Sequence, residues 1–472
     1  MKKSILSIAA LTVVLCMTLS GCSLKIFSVN EIMHPPKLSG VNAGIQEAFE
    51  NAVNKKNITM RTPTAGDYRS SYVLYDFDND GDNEAITFYS NSSDETVVYM
   101  HILDLIDGKW TSIADIKGLG SEVYKIDFCD MNSDGISEIV VCWSLYESKG
   151  NKILSVYEPD MRSGETVLKS IITENFSQTI TCDMDGDGKD EMFNVVIDNT
   201  SGISKTYGRL LKMNDDFTIA LASNVELTPA VSISSIKAES PSLEAVDDKG
   251  KKDDKSSSGN IADSKEKQTR IFVDSIINDT EMITDIVYWD EQSGMIVSPL
   301  TAANSTETPV TLRSSKLSSL DIDKDGEFEI PLKQVLANSY SRSGETEEAL
   351  FLTAWYQFKD GEFTEKIKKL MLYSSSYMIT FDDTLAGAVS VVNDISERTC
   401  IFYKYDDKTK QTGSELFRIA SVASSDWQHR PNNDYSVLFE SDSLVFACKI
   451  TVAGEKAKIT VDYLKANFSV IE

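Results

Sequence analysis

Four short acidic segments share the pattern Asp-x-Asp/Asn-x-Asp-Gly-x-x-Glu: Asp76-Phe-Asp-Asn-Asp-Gly-Asp-Asn-Glu84, Asp130-Met-Asn-Ser-Asp-Gly-Ile-Ser-Glu138, Asp183-Met-Asp-Gly-Asp-Gly-Lys-Asp-Glu191 and Asp321-Ile-Asp-Lys-Asp-Gly-Glu-Phe-Glu329. Carboxylates at alternate positions converge on one hard cation. Calcium takes roughly six to eight oxygens at about 2.3–2.6 Å. The glycine at the sixth position permits the positive φ that wraps the backbone around an ion. An acidic turn without metal is a reasonable reading of one such segment and a poor one of all four.

The flanks exclude an EF-hand, which needs a bidentate Glu at the twelfth position and a helix on each side. The twelfth positions here are Thr87, Val141, Asn194 and Leu332, and the neighbouring runs, such as Tyr72-Val-Leu-Tyr and Ile139-Val-Val-Cys-Trp, favour strands. Each segment therefore reads as a loop joining two antiparallel strands. The first aspartates are spaced 54, 53 and 138 residues apart. A regular period predicts another loop near residue 236, where a Lys-, Asp-, Ser- and Gly-rich tract of about 239–269 stands instead. Its composition cannot offset the entropy of ordering it, so it reads as a disordered insertion. The expectation is a mainly β chain with about five four-stranded repeats, a β-propeller over 71–376. The first unit divides into strands Tyr72–Asp76, Ala85–Ser90, Val97–Leu105 and Lys109–Lys117.

With these loops and this period, the chain resembles the FG-GAP/VCBS repeat family, the calcium-loop propellers of bacterial surface proteins and integrin α chains. The resemblance covers about 71–376. The ninth position, often Asp in that family, is Glu in all four loops, and no FG-GAP strand is evident. The resemblance implies up to four calcium ions. Their side-chain ligands would be Asp76, Asp78, Asp80 and Glu84; Asp130, Asn132, Asp134 and Glu138; Asp183, Asp185, Asp187 and Glu191; and Asp321, Asp323, Asp325 and Glu329. The carbonyls of Asp82, Ile136, Lys189 and Glu327 would complete the sets.

The N-terminus reads as a lipoprotein signal over 1–21: a basic Met1-Lys-Lys, an apolar run, and Leu19-Ser-Gly-Cys22 matching a bacterial lipobox. Cys22 would be lipidated and would anchor the chain outside the cytoplasm without spanning the membrane. A tether over 22–40 leads to a helical cap at 41–70, whose helix shows Ile45, Ala48, Phe49, Ala52 and Val53 on one face. From 377 to 472 the loop pattern stops, and a small separate α+β domain is expected. The five cysteines after Cys22 are odd in number, and Cys129 and Cys182 fall at equivalent repeat positions, so no disulfide framework is expected.

A formal net charge of −27 repels nucleic acid and anionic lipid. Of the three histidines, His34 falls in the tether, His101 in a strand and His429 in a loop beside Arg430. No nucleophile elbow, zinc-protease helix, phosphate loop or Cys-x-x-Cys occurs. The expected function is a non-catalytic, calcium-binding surface module that engages a protein or glycan. A polysaccharide hydrolase or lyase with its site at a propeller mouth is the alternative, and a solute-binding or signalling subunit a third. Cys22→Ala should move the protein from the membrane fraction to the soluble fraction, because stable anchoring needs the acyl chains. Retention after a high-salt wash would refute the lipobox.

Overall fold

The computed structural model describes residues 41–53, 58–92, 94–145, 152–160, 167–200, 202–239, 268–300, 310–359, 361–427 and 434–471. The signal segment, Cys22, the tether, His34, His429 and residues 240–267 of the insertion lie outside the described residues. The chain is mainly β. Helix α1 (Val41–Ala52) precedes the first sheet, which contains β1 (Ile58–Arg61), β2 (Val73–Tyr75), β3 (Glu84–Asn91), β4 (Asp94–Ile106) and β5 (Lys109–Lys117). The second sheet holds β6 (Glu122–Cys129), β7 (Glu138–Ser144), β8 (Lys152–Asp160) and β9 (Val167–Phe176). The third holds β10 (Gln178–Cys182), β11 (Glu191–Asp198), β12 (Lys205–Met213) and β13 (Ile219–Leu227). The fourth holds β14 (Ser232–Glu239), β15 (Arg270–Ile276), β16 (Met282–Asp290) and β17 (Met295–Val297). The second, third and fourth sheets are antiparallel meanders in chain order; in the first, β1 and β2 share one edge of β3.

Hydrophobic pattern explains how these sheets meet. Strand β7 is an almost unbroken apolar run, as a strand covered on both faces must be. Its Ile139, Val141 and Trp143 pack with Ile86, Phe88 and Met100 of the first sheet. Its Val140 and Cys142, pointing the other way, pack with Met192 and Leu211 of the third. Phe193 and Val195 of the third sheet meet Ile271 and Val273 of the fourth. Phe272 and Ile286 of the fourth meet Ile330 and Phe358 of the next. The sheets thus stack face to face in chain order. The outer face of the first is covered by α1, whose Ile45 and Phe49 pack on Ala85, Tyr89 and Leu103. Among the described residues, no hydrophobic cluster joins the first sheet to the last.

The fifth unit departs from the expected pattern. Its strands β18 (Glu329–Ser343), β19 (Thr346–Lys359) and β20 (Glu362–Leu372) belong to a ten-stranded sheet. That sheet continues through β21 (Tyr377–Thr380), β22 (Val389–Asp394), β23 (Thr399–Asp406), β24 (Gln411–Ala423), β25 (Ser436–Glu440), β26 (Leu444–Ile450) and β27 (Phe468–Val470). Strand β22 pairs in parallel with the far half of β18, and β27 pairs with β21. The boundary expected at residue 377 therefore falls inside one continuous sheet, and Leu336, Leu352 and Leu370 share a core with Phe402, Phe417 and Ile419. The sheet curls until Phe468 of β27 lies 5.3 Å from Phe446 of β26, centroid to centroid, giving a nearly closed, barrel-like form. Short helices α2 (Ser424–Trp427), α3 (Val452–Lys456) and α4 (Val461–Asn467) punctuate its end.

A buried polar knot holds the approach to the last acidic loop. Asp274 accepts from Arg313 Nη2 at 3.0 Å, Thr284 Oγ1 at 2.6 Å, Ser235 Oγ at 2.8 Å, and Ser319 N and Oγ, both at 2.9 Å. Arg313 and Asp274 side chains are fully buried, so each depends on the other for its charge. Nearby Asp285 is also fully buried, and among the described residues it is held by Thr228, whose N and Oγ1 donate at 2.9 and 3.0 Å.

Burial pushes the Asp285 carboxyl up to about 6, against an ordinary 3.8. A raised folded-state pKa means that the stabilising form is fully present below the unfolded value and is lost as pH rises through about 6. Asp285→Asn keeps the shape and removes the charge. It should abolish a decline between pH 4 and pH 8 on the order of 3 kcal/mol, about 1.4 kcal/mol per unit. Denaturant titrations of both proteins across that range test this; parallel curves would contradict it.

Candidate metal centres

The four acidic loops fold on one hydrogen-bond skeleton. The sixth-position amide donates to the first aspartate: Gly81 to Asp76 at 3.1 Å, Gly135 to Asp130 at 3.0 Å, Gly188 to Asp183 at 3.1 Å and Gly326 to Asp321 at 3.0 Å. The seventh-position amide donates to the fifth aspartate at 2.8–2.9 Å, from Asp82, Ile136, Lys189 and Glu327. The second-position amide donates to the ninth glutamate: Phe77 to Glu84 at 2.9 Å, Met131 to Glu138 and Met184 to Glu191 at 2.8 Å, and Ile322 to Glu329 at 3.0 Å. The sixth-position glycines have φ between 83° and 97°, where a Cβ is disfavoured. The fourth positions are left-handed too, at Asn79, Ser133, Gly186 and Lys324. Sequence reading missed these because three of the four are not glycine.

Each loop joins the first two strands of its unit, at β2–β3, β6–β7, β10–β11 and before β18. The fourth unit's equivalent connection, β14 to β15, is where the insertion lies. The tract is shorter than the sequence suggested, because Glu239 and Thr269 are buried parts of the fold. The units are tied in series. Ser137 N donates to Phe77 O at 2.7 Å, and Asp190 N to Asp130 O at 3.1 Å. Thr269 Oγ1 donates to Asp183 O at 2.7 Å, and Phe328 N to Glu239 Oε2 at 2.7 Å. In every case the residue just before the second strand reaches back to the previous unit.

The expected ligands are not gathered equally. Oxygens of Asp76, Asp78, Asp80 and Glu84 lie within 4.8 Å of one another, as do those of Asp183, Asp185, Asp187 and Glu191, and of Asp321, Asp323 and Asp325. That span is about twice a calcium–oxygen bond. Glu329 stands outside the last group, and among the described residues Asp130, Asp134 and Glu138 are not gathered so closely. In that second loop Asn132 Nδ2 donates to Asp134 Oδ2 at 3.1 Å. The ninth glutamates are 0–2 % exposed. Burial is the main cause that pushes Glu84 up to about 8 and Glu138, Glu191 and Glu329 up to about 7. Glu84 Oε1, Glu329 Oε1 and Asp76 Oδ1 are buried without a hydrogen-bond partner. Those of Asp76 and Glu84, which belong to the first gathered group, fit a divalent cation.

Away from the loops, no catalytic set is assembled among the described residues singled out by sequence. His101 is 1 % exposed, its Nδ1 3.3 Å from Asp115 Oδ1 and its ring against Phe49. Cys129, Cys142, Cys182, Cys400 and Cys448 are free, buried thiols, and burial raises their pKa values. A cavity of about 910 Å³ on the third sheet is lined by Asn175, Asp198, Tyr207, Arg209 and Asn224 among others. One of about 780 Å³ beside the last loop is lined by Lys237, Lys369, Trp355, Met371 and Asp321 among others. Among the described residues each is lined by one carboxylate, Asp198 or Asp321, where glycoside hydrolysis uses a facing pair.

No family model matches the chain, and no curated protein does. Among solved structures, it is similar to Sqt1 of Saccharomyces cerevisiae, with a TM-score of 0.28, 9 % identity, and coverage of 78 % of this chain and 84 % of that one. It is also similar to a protein from Lactobacillus plantarum, with a TM-score of 0.25, 8 % identity, and coverage of 76 % and 94 %. Likenesses this weak bear on neither fold nor function.

The shared skeleton makes the sixth glycine a backbone requirement. A Cβ at Gly81 would meet nothing within 4 Å, so Gly81→Ala isolates the cost of its φ of 97°. The expected loss is roughly 1–2 kcal/mol, read as a lower denaturant midpoint at unchanged slope. An unchanged midpoint would show that the loop relaxes freely.

Proposed function

We propose that this protein is a calcium-stiffened, non-catalytic binding or scaffold module, held outside the cytoplasm at a membrane surface by lipid on Cys22. The reading rests on one observation: four loops with the same backbone hydrogen bonds, three of them gathering carboxylates tightly, occupy equivalent strand connections and are tied unit to unit. Calcium would neutralise the clustered carboxylates and fill the valences of the buried Glu84 and Glu329 oxygens. Stiffening one edge of a stack of sheets presents a fixed surface, which suits recognition of a protein or glycan. The units have the period and meander of propeller blades. Because α1 takes the outer face of the first sheet, the favoured form is an open stack rather than a closed five-bladed ring.

Calcium should raise the melting temperature of the full chain and chelator should lower it. A ligand at about one hundred times its Kd adds about 2.7 kcal/mol per site. Glu84→Gln keeps the side-chain shape and removes one of the crowded charges. It should lower the calcium-bound melting temperature and leave the metal-free one equal or higher. A protein indifferent to both calcium and chelator would overturn the reading.

A further inference from the structure

Opposite each ninth-position glutamate, on the third strand of its unit, stands a residue outside the loop motif. Strand register pairs Gln357 with Glu329 and, extended one residue past the last paired positions, puts Asp104 across from Glu84, Glu158 across from Glu138 and Lys212 across from Glu191. Two of these add negative charge, one adds positive charge and one is neutral. Lys212 projects into the third loop. Its Nζ contacts Asp185 Oδ2 and lies 3.2 Å from Glu191 Oε1 and 3.9 Å from Asp187 Oδ2. It thus engages three of the four carboxylates gathered there. Trp289 of the next sheet flanks it, the ring centroid 5.1 Å from Nζ. Among the described residues the first loop has no such cation: Asp104 adds to the negative field at Asp78 and Glu84, and Glu84 Oε1 and Asp76 Oδ1 are buried and unpartnered.

We propose that Lys212 is the resident cation of the third loop, which therefore stays metal-free while calcium fills the first, where Asp104 strengthens the site. The proposal rests on the calcium reading of the loops. An ammonium in the nest repels a divalent ion about as strongly as one carboxylate at the same distance attracts it, so Lys212 cancels roughly one of the four carboxylates gathered there and occupies the space the ion would take. The expected penalty on calcium at the third loop is roughly 100-fold or more in affinity. The fourth unit shows a similar arrangement. Arg270 stands at the ninth position, paired in register with Glu239, and its Nε donates to Glu239 Oε1 at 2.9 Å. Two successive units therefore close this edge with a side-chain cation.

Lys212→Met keeps a long apolar stem against Trp289 and removes the charge. Calorimetric titration of the metal-free full chain should show one more calcium bound in K212M than in the wild type. Terbium, used as a luminescent calcium probe, should gain a tryptophan-sensitised signal in K212M that is lost on adding Trp289→Phe. Equal stoichiometry and equal terbium signal, with calcium bound elsewhere, would overturn the proposal and leave the calcium reading intact. No calcium bound by either protein would overturn both. If K212M fails to fold, Asp104→Lys supplies the converse test: it should cost one calcium, and an unchanged number would overturn the proposal.

Discussion

A buried carboxylate at the point where the first strand of each unit passes to the second is the constraint around which this edge is built. The ninth-position glutamates are almost wholly removed from water, and each has one oxygen tied to the amide seven residues earlier. That bond fixes the loop's closure but satisfies only part of the group. Burying an ionised carboxylate without a compensating charge is costly. The remaining oxygen must therefore meet a proton, a side-chain cation or a metal. The two left-handed positions, the first aspartate that accepts the sixth amide, and the fifth that accepts the seventh all serve to bring further oxygens to the same place.

The units meet this constraint differently. In the first, carboxylates accumulate with no cation beside them among the described residues. In the third, Lys212 enters from β12. In the fourth the cation itself takes the ninth position, as Arg270, and its carboxylate partner Glu239 stands on the first strand. In the fifth, Lys366 lies 3.2 Å from Asp325 Oδ2 at a more exposed site. The shared requirement is electrical compensation at one point of the sheet edge, and the acidic motif is one way to supply it. Repetition of the backbone with variation of the charge is what a chain of equivalent units permits, because each has its own compensating partner.

Much of this was legible in the sequence, and the part that was not has a common cause. The aspartates, the sixth glycines and the apolar runs beside them are contiguous, so their geometry follows from local rules. The period of 53–54 residues located the units, including the one whose loop is missing. Lys212 and Asp104 were invisible because they lie 21 and 20 residues beyond the glutamates they face, and only strand register brings them there. The fifth unit misled for the same reason. Its first half reads as a blade, but the parallel pairing of Tyr340–Arg342 with Val392–Asp394 is long-range and leaves no periodic trace. The helix at the start was legible from its apolar face. That this face covers the first sheet where a closing blade would lie was not, since a stripe of Ile45 and Phe49 fits any apolar surface.

The covered ends decide how strain and order travel through the molecule. In a closed ring every sheet has two equivalent neighbours, and loss of one unit opens the whole. Here α1 covers the outer face of the first sheet, the curled ten-stranded sheet follows the fourth, and among the described residues the hydrophobic clusters join each sheet only to its neighbour in the chain. Stability in such an array is the sum of units and nearest-neighbour interfaces. The apolar interfaces are broad but nondirectional. The bonds from Ser137, Asp190, Thr269 and Phe328 back to the preceding unit are directional, and each has at least one end in an acidic loop. A loop that is electrically compensated holds its carbonyl or carboxylate still for the donor of the next unit. The acidic edge thus adds directional hydrogen bonds between units whose broad faces meet through apolar packing.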